Sequence, residues 1–216
     1  MRVLLLGAGG HAEVLADILL QMESAGAEVQ LTGYLDDDPD LAGRRIQGLP
    51  VLGPLTHLPE VAHDALIVAI GDNRTRFRVF SALEEQGERF VAACHPRAVV
   101  APGVQIGPGT VICAGVVVNP GSVVGSNVIL NTGSTVDHHC RVEDHAHIAP
   151  GVHLGGAVSV GQGVLVGIGA NVMPGCSIGA WTVVGGGAFV RSDLPDGVVA
   201  AGLPAQILGK QTVERM

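Results

Sequence analysis

With 216 residues the chain is long enough for one domain or two small ones, each able to bury a core. Twelve basic residues against twenty acidic ones give a net charge of −8, and with only six aromatic residues this disfavours nucleic acid as a partner. Although 47% of the residues are hydrophobic, no run of 18 apolar residues exists for membrane insertion, and the opening Met-Arg-Val-Leu-Leu-Leu-Gly is too short for a signal sequence, so a cytoplasmic location is expected.

In chain order, Val3 to Leu6 reads as a short apolar strand, Gly7-Ala-Gly-Gly10 as a turn, and His11 to Met22 as a helix with apolar positions Val14, Ile18 and Leu19. Leu31 to Leu35 is a second strand, ending in Asp36-Asp37-Asp38-Pro39. Ala65 to Ile70 is a third, closed by Gly71-Asp72-Asn73, and a helix follows from Arg74 to Gln86. Phe90 to Ala93 is expected to be the last strand. This alternation predicts a small parallel sheet with crossover helices, an α/β domain of Rossmann-like type over residues 1–94. Glycines at a strand end followed by a helix start make a seat for phosphate, because a bare backbone lets an anion approach the free N–H groups and the positive dipole end. The spacing Gly7-x-Gly9-x-x-Ala12, with Asp36 ending the second strand, also fits a loose dinucleotide fingerprint. A nicotinamide cofactor needs a second mononucleotide half, for which this domain is short.

Cys94-His95-Pro96-Arg97 is the joint, and then the pattern changes. Every sixth residue from Val100 to Val190 is Val, Ile or Leu, sixteen hexads without a miss. Two residues earlier, the inward corner is never larger than valine, as at Val116, Ser134, Ala146 and Thr182. A six-residue period belongs to neither helix nor flat sheet. It predicts an all-β parallel β-helix of about five turns over residues 95–190, with the aliphatic residues on its axis. A sandwich does not hold a strict hexad. Glycine directly follows the aliphatic position at Gly107, Gly125, Gly155, Gly161, Gly167, Gly179 and Gly185, where a tight turn with positive φ is expected. Residues 191–216 break the period and are expected to cap the coil. The coil's flat apolar faces call for a partner, and a homotrimer would cover them.

Five of the nine histidines fall between His138 and His153. Such density raises a metal site or merely a solvated surface, but no histidine in the group has another eighteen residues away, the spacing that would stack ligands on neighbouring turns, and no metal is expected. The four cysteines form no C-x-x-C pair, and Cys140 and Cys176 fall on inward corners, so they read as small core residues.

The turn Gly7-Ala-Gly-Gly-His11, the pair Asp36-Asp37, the strand end Gly71-Asp-Asn73, the stretch Asn131-Thr-Gly-Ser-Thr-Val-Asp-His138, the string Gly185-Gly-Gly187 and the closing Ala201-Gly-Leu-Pro-Ala205 together resemble the bacterial NeuD/PglD-type sugar acetyltransferases. The resemblance spans essentially the whole chain. It implies a left-handed coil and acetyl transfer from acetyl-coenzyme A, a co-substrate and not a permanently bound cofactor. The acceptor it implies is the amine of a UDP- or GDP-linked 4-amino-4,6-dideoxy sugar for cell-surface glycan synthesis. It makes His138 the general base, with Asp137 or His139 as its neighbour, and His139 stands where many members carry an acid. It implies His147, Gly156, Ile168 and Gly186 along acetyl-coenzyme A between two subunits, and Gly9, Gly10, His11, Asp36, Asp37, Gly71 and Asn73 around the nucleotide sugar. O-acetylation of a sugar of the sialic acid type, or a non-catalytic sugar-nucleotide scaffold, are the alternative readings.

Overall fold

A computed structural model describes residues 1–211. The first domain is a three-stranded parallel sheet in the order β2-β1-β5, formed by β1 (Arg2–Leu6), β2 (Gln30–Leu35) and β5 (Ala65–Val68), with a small hairpin of β3 (Arg45–Ile46) and β4 (Leu49–Pro50) beside it. The apolar runs of β1 and β5 are buried along their length, as a parallel sheet covered on both sides requires. Helix α1 (Gly10–Ser24) buries Ala12, Leu15, Ala16, Ile18 and Leu19. Val14 is 41% exposed, contrary to the stripe expected from sequence, because the i, i+3, i+4, i+7 row that meets the sheet runs through Ala12, Leu15, Ala16 and Leu19. Helix α2 (Asn73–Glu85) starts where the Asp72 carboxylate accepts the Thr75 N–H at 2.8 Å. Its buried stripe is Asn73, Arg76 and Phe80, one face of the helix at i, i+3 and i+7.

The hexads form a parallel β-helix in which each two-residue strand pairs with the strand eighteen residues on. The first face runs through Val111–Ile112, Ile129–Leu130, His147–Ile148, Leu165–Val166 and Val183–Val184. The second runs from Val99–Val100 through Thr135–Val136 to Phe189–Val190, and the third from Gln105–Ile106 through Arg141–Val142 to Ser177–Ile178. The second face has six strands, so the coil makes about six turns and not five. One reason is that Ala93–Cys94 pairs with Val111–Ile112 as the first rung of the coil. The expected strand Phe90 to Ala93 therefore splits, since Phe90 makes only a single bridge to Leu66 in the first sheet. The hexad residues Val118 to Val190 are buried, and so are the small corner residues before them. Each buried aliphatic side chain contributes about 1.5–3 kcal/mol, repeated on every turn.

The left-handed backbone positions are not where the sequence suggested. Positive φ falls three residues after each aliphatic position, at Gly109, Gly115, Gly133 and their equivalents. The glycines directly after the aliphatic residue serve close approach instead: a Cβ on Gly107 would lie 2.5 Å from the backbone of Gly125 on the next turn. After Val190 the chain keeps to the coil. Leu194 bridges to Ile178, Val198–Gly202 extends the first face, and Ala205–Lys210 returns antiparallel to it. Residues 212–216 of the expected cap lie outside the described residues.

Candidate active site

Three clusters hold the residues singled out by sequence. The first is the corner between the second and third faces. Here His138 and His139 are exposed, and His139 takes the left-handed conformation (φ +58) that glycine takes at equivalent corners. The two rings meet Nδ1 to Nδ1 at 3.1 Å, so one of them donates and the other accepts. The His139 ring lies over Gly121, where a Cβ would come within 2.7 Å of it. The His138 ring lies over Gly156 on the next turn, where a Cβ would stand 2.6 Å from Nε2 and 2.5 Å from Cε1. Asp137 makes no hydrogen bond to either ring. Its Oδ1 accepts from the Asn119 amide at 2.8 Å and from the His138 backbone N–H at 2.7 Å, and these bonds hold its carboxyl below the usual range. It shapes the corner and leaves the imidazole to His139.

The second cluster lies where the first domain meets the first face. A cleft of about 400 Å³ is lined by Gly71, Arg74, His147, Leu165, Trp181 and Gln211 among others. The Asn131 amide stands 3.1 Å from His147 Nε2, and Gly71 lines the cleft beside that ring. Burial, helped by the Arg76 charge and His11, pushes His147 down to about 3. His11 opens α1 with its ring centroid 6.5 Å from that of His147, and its buried Nε2 has no protein partner. Burial and Arg76 push it down to about 4. Both rings are therefore neutral at physiological pH. Gly9 and Gly10 beside them are open to approach, and no side chain caps the helix end at Gly9. Asp36 binds the Ala8 N–H at 2.6 Å and the Asp38 N–H at 2.8 Å, while Asp37 binds the Leu55 N–H at 2.8 Å, so both carboxylates brace the loops around this seat. Asn73 reaches the cleft, but its amide is engaged by the Gly163 and Val164 carbonyls at 3.1 and 3.0 Å and by Arg76 at 2.9 Å.

The third cluster is the corner between the first and second faces. Ile168, 66% exposed, stacks eighteen residues below Gly186, where a Cβ would lie 3.3 Å from the Ile168 carbonyl. Among the described residues no group of three or more His, Cys, Asp or Glu converges on a point that could hold a metal, and the four cysteines are free thiols.

Sequence reasoning missed Arg76 and Trp181, while Arg74, which the sequence placed after the Gly71 strand end as a further residue facing the ligand, does line the cleft. The Arg74 guanidinium stacks 4.9 Å from the Trp181 ring, and Phe77 meets both Trp181 and His145 edge-on. A signal was present. Asn127, His145 and Trp181 occupy corner positions that are glycine on most other turns, and all three face α2 or the cleft.

A small parallel α/β domain docked on a hexapeptide coil, with an imidazole held open at a coil corner, defines the β-helix acyltransferases. The comparisons with known proteins narrow this class. The family described as PglD N-terminal domain matches residues 2–83. PerB from Caulobacter crescentus, solved with CoA and GDP-perosamine, is 41% identical, with 97% of this chain and 98% of that one covered and a TM-score of 0.88. The same protein, a GDP-perosamine N-acetyltransferase, is also solved with one histidine replaced by Ala or by Asn. The acetyltransferase domain of PglB from Neisseria gonorrhoeae FA1090 is 34% identical over 96% of this chain and 99% of that one, with a TM-score of 0.88. WeeI from Acinetobacter baumannii AYE is 27% identical over 96% and 100%, with a TM-score of 0.83. A comparison with curated sequences finds no match. The chain belongs to the NeuD/PglD-type sugar acetyltransferases, and its coil is a left-handed β-helix.

Proposed function

We propose that this protein transfers the acetyl group of acetyl-coenzyme A to the amine of a nucleotide-linked 4-amino-4,6-dideoxy sugar, with His138 as general base. The observation that carries the reading is the His138 ring itself: Nδ1 is held by His139, and Nε2 stands free over the bare α-carbon of Gly156. With Nδ1–H donated to His139, Nε2 carries the lone pair that accepts a proton. The sugar amine attacks the thioester carbonyl, its N–H proton passes to His138 Nε2, the C–S bond breaks, and the coenzyme A thiolate recovers a proton. As an acceptor from Nδ1–H, His139 makes a weaker hydrogen bond than a carboxylate would. The complexes of PerB with CoA and GDP-perosamine support this donor and this acceptor class, and make a GDP-linked amino sugar the first to test, for cell-surface glycan synthesis.

We place the nucleotide sugar at Gly9, Gly10, His11 and Gly71, with Asp36 and Asp37 bracing the seat and Asn73 supporting it from behind. Acetyl-coenzyme A runs along His147, Gly156, Ile168 and Gly186. In one chain, His138 with Gly156 and Ile168 with Gly186 sit on opposite edges of the second face. A homotrimer brings one subunit's first edge against its neighbour's other edge. Exposed apolar residues mark the same region, Val99 and Phe189 on the face, Ile168 on one edge and Met173 on the other. No helix among the described residues is long and apolar enough to cross a membrane, and a cytoplasmic site would give access to acetyl-coenzyme A. Free-thiol release from acetyl-coenzyme A with GDP- and UDP-linked amino sugars tests the activity, and absence of release with the whole panel would sink it. Light scattering at three times the 22.0 kDa chain mass tests the trimer, and a mass of one chain would refute it.

A further inference from the structure

The largest fully buried side chain is a cation, Arg76, 1% exposed. An uncompensated guanidinium is costly to bury unless its donors are satisfied. The two ion pairs among the described residues lie elsewhere, and the only carboxylate whose charge reaches Arg76 is Asp72 at the start of its own helix. Carbonyls satisfy it instead, from both domains. On the first domain, Nη1 donates to Ile70 and Gly71 at 3.2 Å each, and Nη2 to the Asn73 side chain at 2.9 Å. On the coil, Nε donates to Asn127 at 3.2 Å and Nη2 to His145 at 2.8 Å. The two groups it grips belong to or adjoin the cleft, since Gly71 lines it together with His147, and His147 lies two residues past His145.

We infer that Arg76 is a positioning residue for acetyl transfer, a clamp that fixes the Gly71 strand end of the first domain against the coil turn presenting His147. This rests on the proposed function above and goes beyond it, because Arg76 touches neither substrate. The planar fork is what the geometry demands: its donors spread in a plane and reach five oxygens on three segments, which a single ammonium cannot. The clamp also places a charge near His11 and His147 that acts with their burial to keep both rings neutral, in a cleft lined by both Asp72 and Arg74. Asp144 is the acid felt by His145 on the far side.

Two variants of the full chain separate geometry from charge. Arg76→Lys keeps a cation but loses the fork, and should raise the KM for the nucleotide sugar about tenfold or more while kcat, set at the distant His138 corner, changes less. Arg76→Gln should add a second effect, an upward move of the His11 and His147 titration midpoints, read by NMR on the free protein. A merely structural arginine would lower the melting temperature and leave the KM unmoved in the folded fraction, whereas the titration reads the charge alone. An unchanged KM in Arg76→Lys overturns the clamp. If neither variant folds, Asn73→Ala, which removes one of the acceptors of the fork, decides: a raised KM for the nucleotide sugar supports the inference, and an unchanged KM overturns it. The titration needs no turnover, so a failed acetyl-transfer assay would sink the functional reading without touching this result.

Discussion

The substitution Gly156→Ala tests the His138 site at its narrowest point. The new methyl would stand 2.5 Å from Cε1 and 2.6 Å from Nε2 of His138, whereas carbon atoms rest about 3.5–4.0 Å apart. The imidazole must therefore retreat by about 1 Å or more. It can do so at little cost in stability, because His138 is exposed and Gly156 has no positive φ that alanine would resist. A displacement of this size at a reacting group costs about 10²-fold in rate, or about 2.7 kcal/mol of barrier. The assay is kcat at saturating acetyl-coenzyme A and sugar, paired with a melting curve. The expected result is a kcat loss near a hundredfold with the melting temperature unchanged or slightly raised, since alanine also restricts the unfolded chain. A kcat within about threefold of the native value would show that His138 does not act from the position over Gly156, and the base would have to be sought elsewhere.

His138→Ala and His138→Asn should lower turnover by about 10² to 10⁴ with the folded state intact, and His139→Ala should cost at least about tenfold less; steady-state kinetics separate the two. His11, His145 and His147 stay neutral in the folded chain down to about 4, 4 and 3, chiefly because they are buried, whereas an unfolded histidine takes its proton near 6.5. Between those values the unfolded state holds more protons, so stability is full above about pH 6.5 and is lost as pH falls toward 3. Calorimetry should show the melting temperature dropping steadily below pH 6.5, and a flat profile from pH 7 to 5 would contradict the burial of these rings. Gly107→Ala should destabilise the coil by about 3 kcal/mol or more, because its Cβ meets a backbone that cannot step aside, and Gly133→Ala by only about 1–2 kcal/mol for its left-handed φ of +66 in open space. Denaturant melts of the two variants rank them.

The axis of the coil was legible because burial selects it directly: one aliphatic residue per face must point inward, and the sequence repeats that demand every six residues. The corners were harder to read. Gly107 and Gly109 look alike as letters, yet one is required by a neighbouring turn and the other by its own backbone, and only the stacked geometry tells them apart. The Phe90 to Ala93 strand was misplaced for a related reason. A short apolar run states that it pairs, not with which sheet, and Ala93–Cys94 pairs with the coil. Asn73, Asp36 and Asp37, which the resemblance put around the nucleotide sugar, bond here to the protein's own backbone, through one amide and two carboxylates whose partners no one-dimensional spacing reveals.

The hexad's left-handed corner is where regularity and function part. Glycine occupies it without strain, so a non-glycine residue there, in a conformation costing roughly 1–2 kcal/mol, must be held by something else. Asn127, His145 and Trp181 stack in one column with Gly163, and helix α2 lies along that column through Arg76, Asn73 and Phe77. His139 occupies the other corner in the same way, with its ring on His138. Four of the six non-glycine residues with positive φ thus mark either the domain joint or the proposed base, and of the other two Ala157 sits beside Gly156 under the His138 ring. In a coil whose repeats are otherwise interchangeable, the positions that break the glycine rule mark the turns that meet the first domain and the turn on which the proposed base stands.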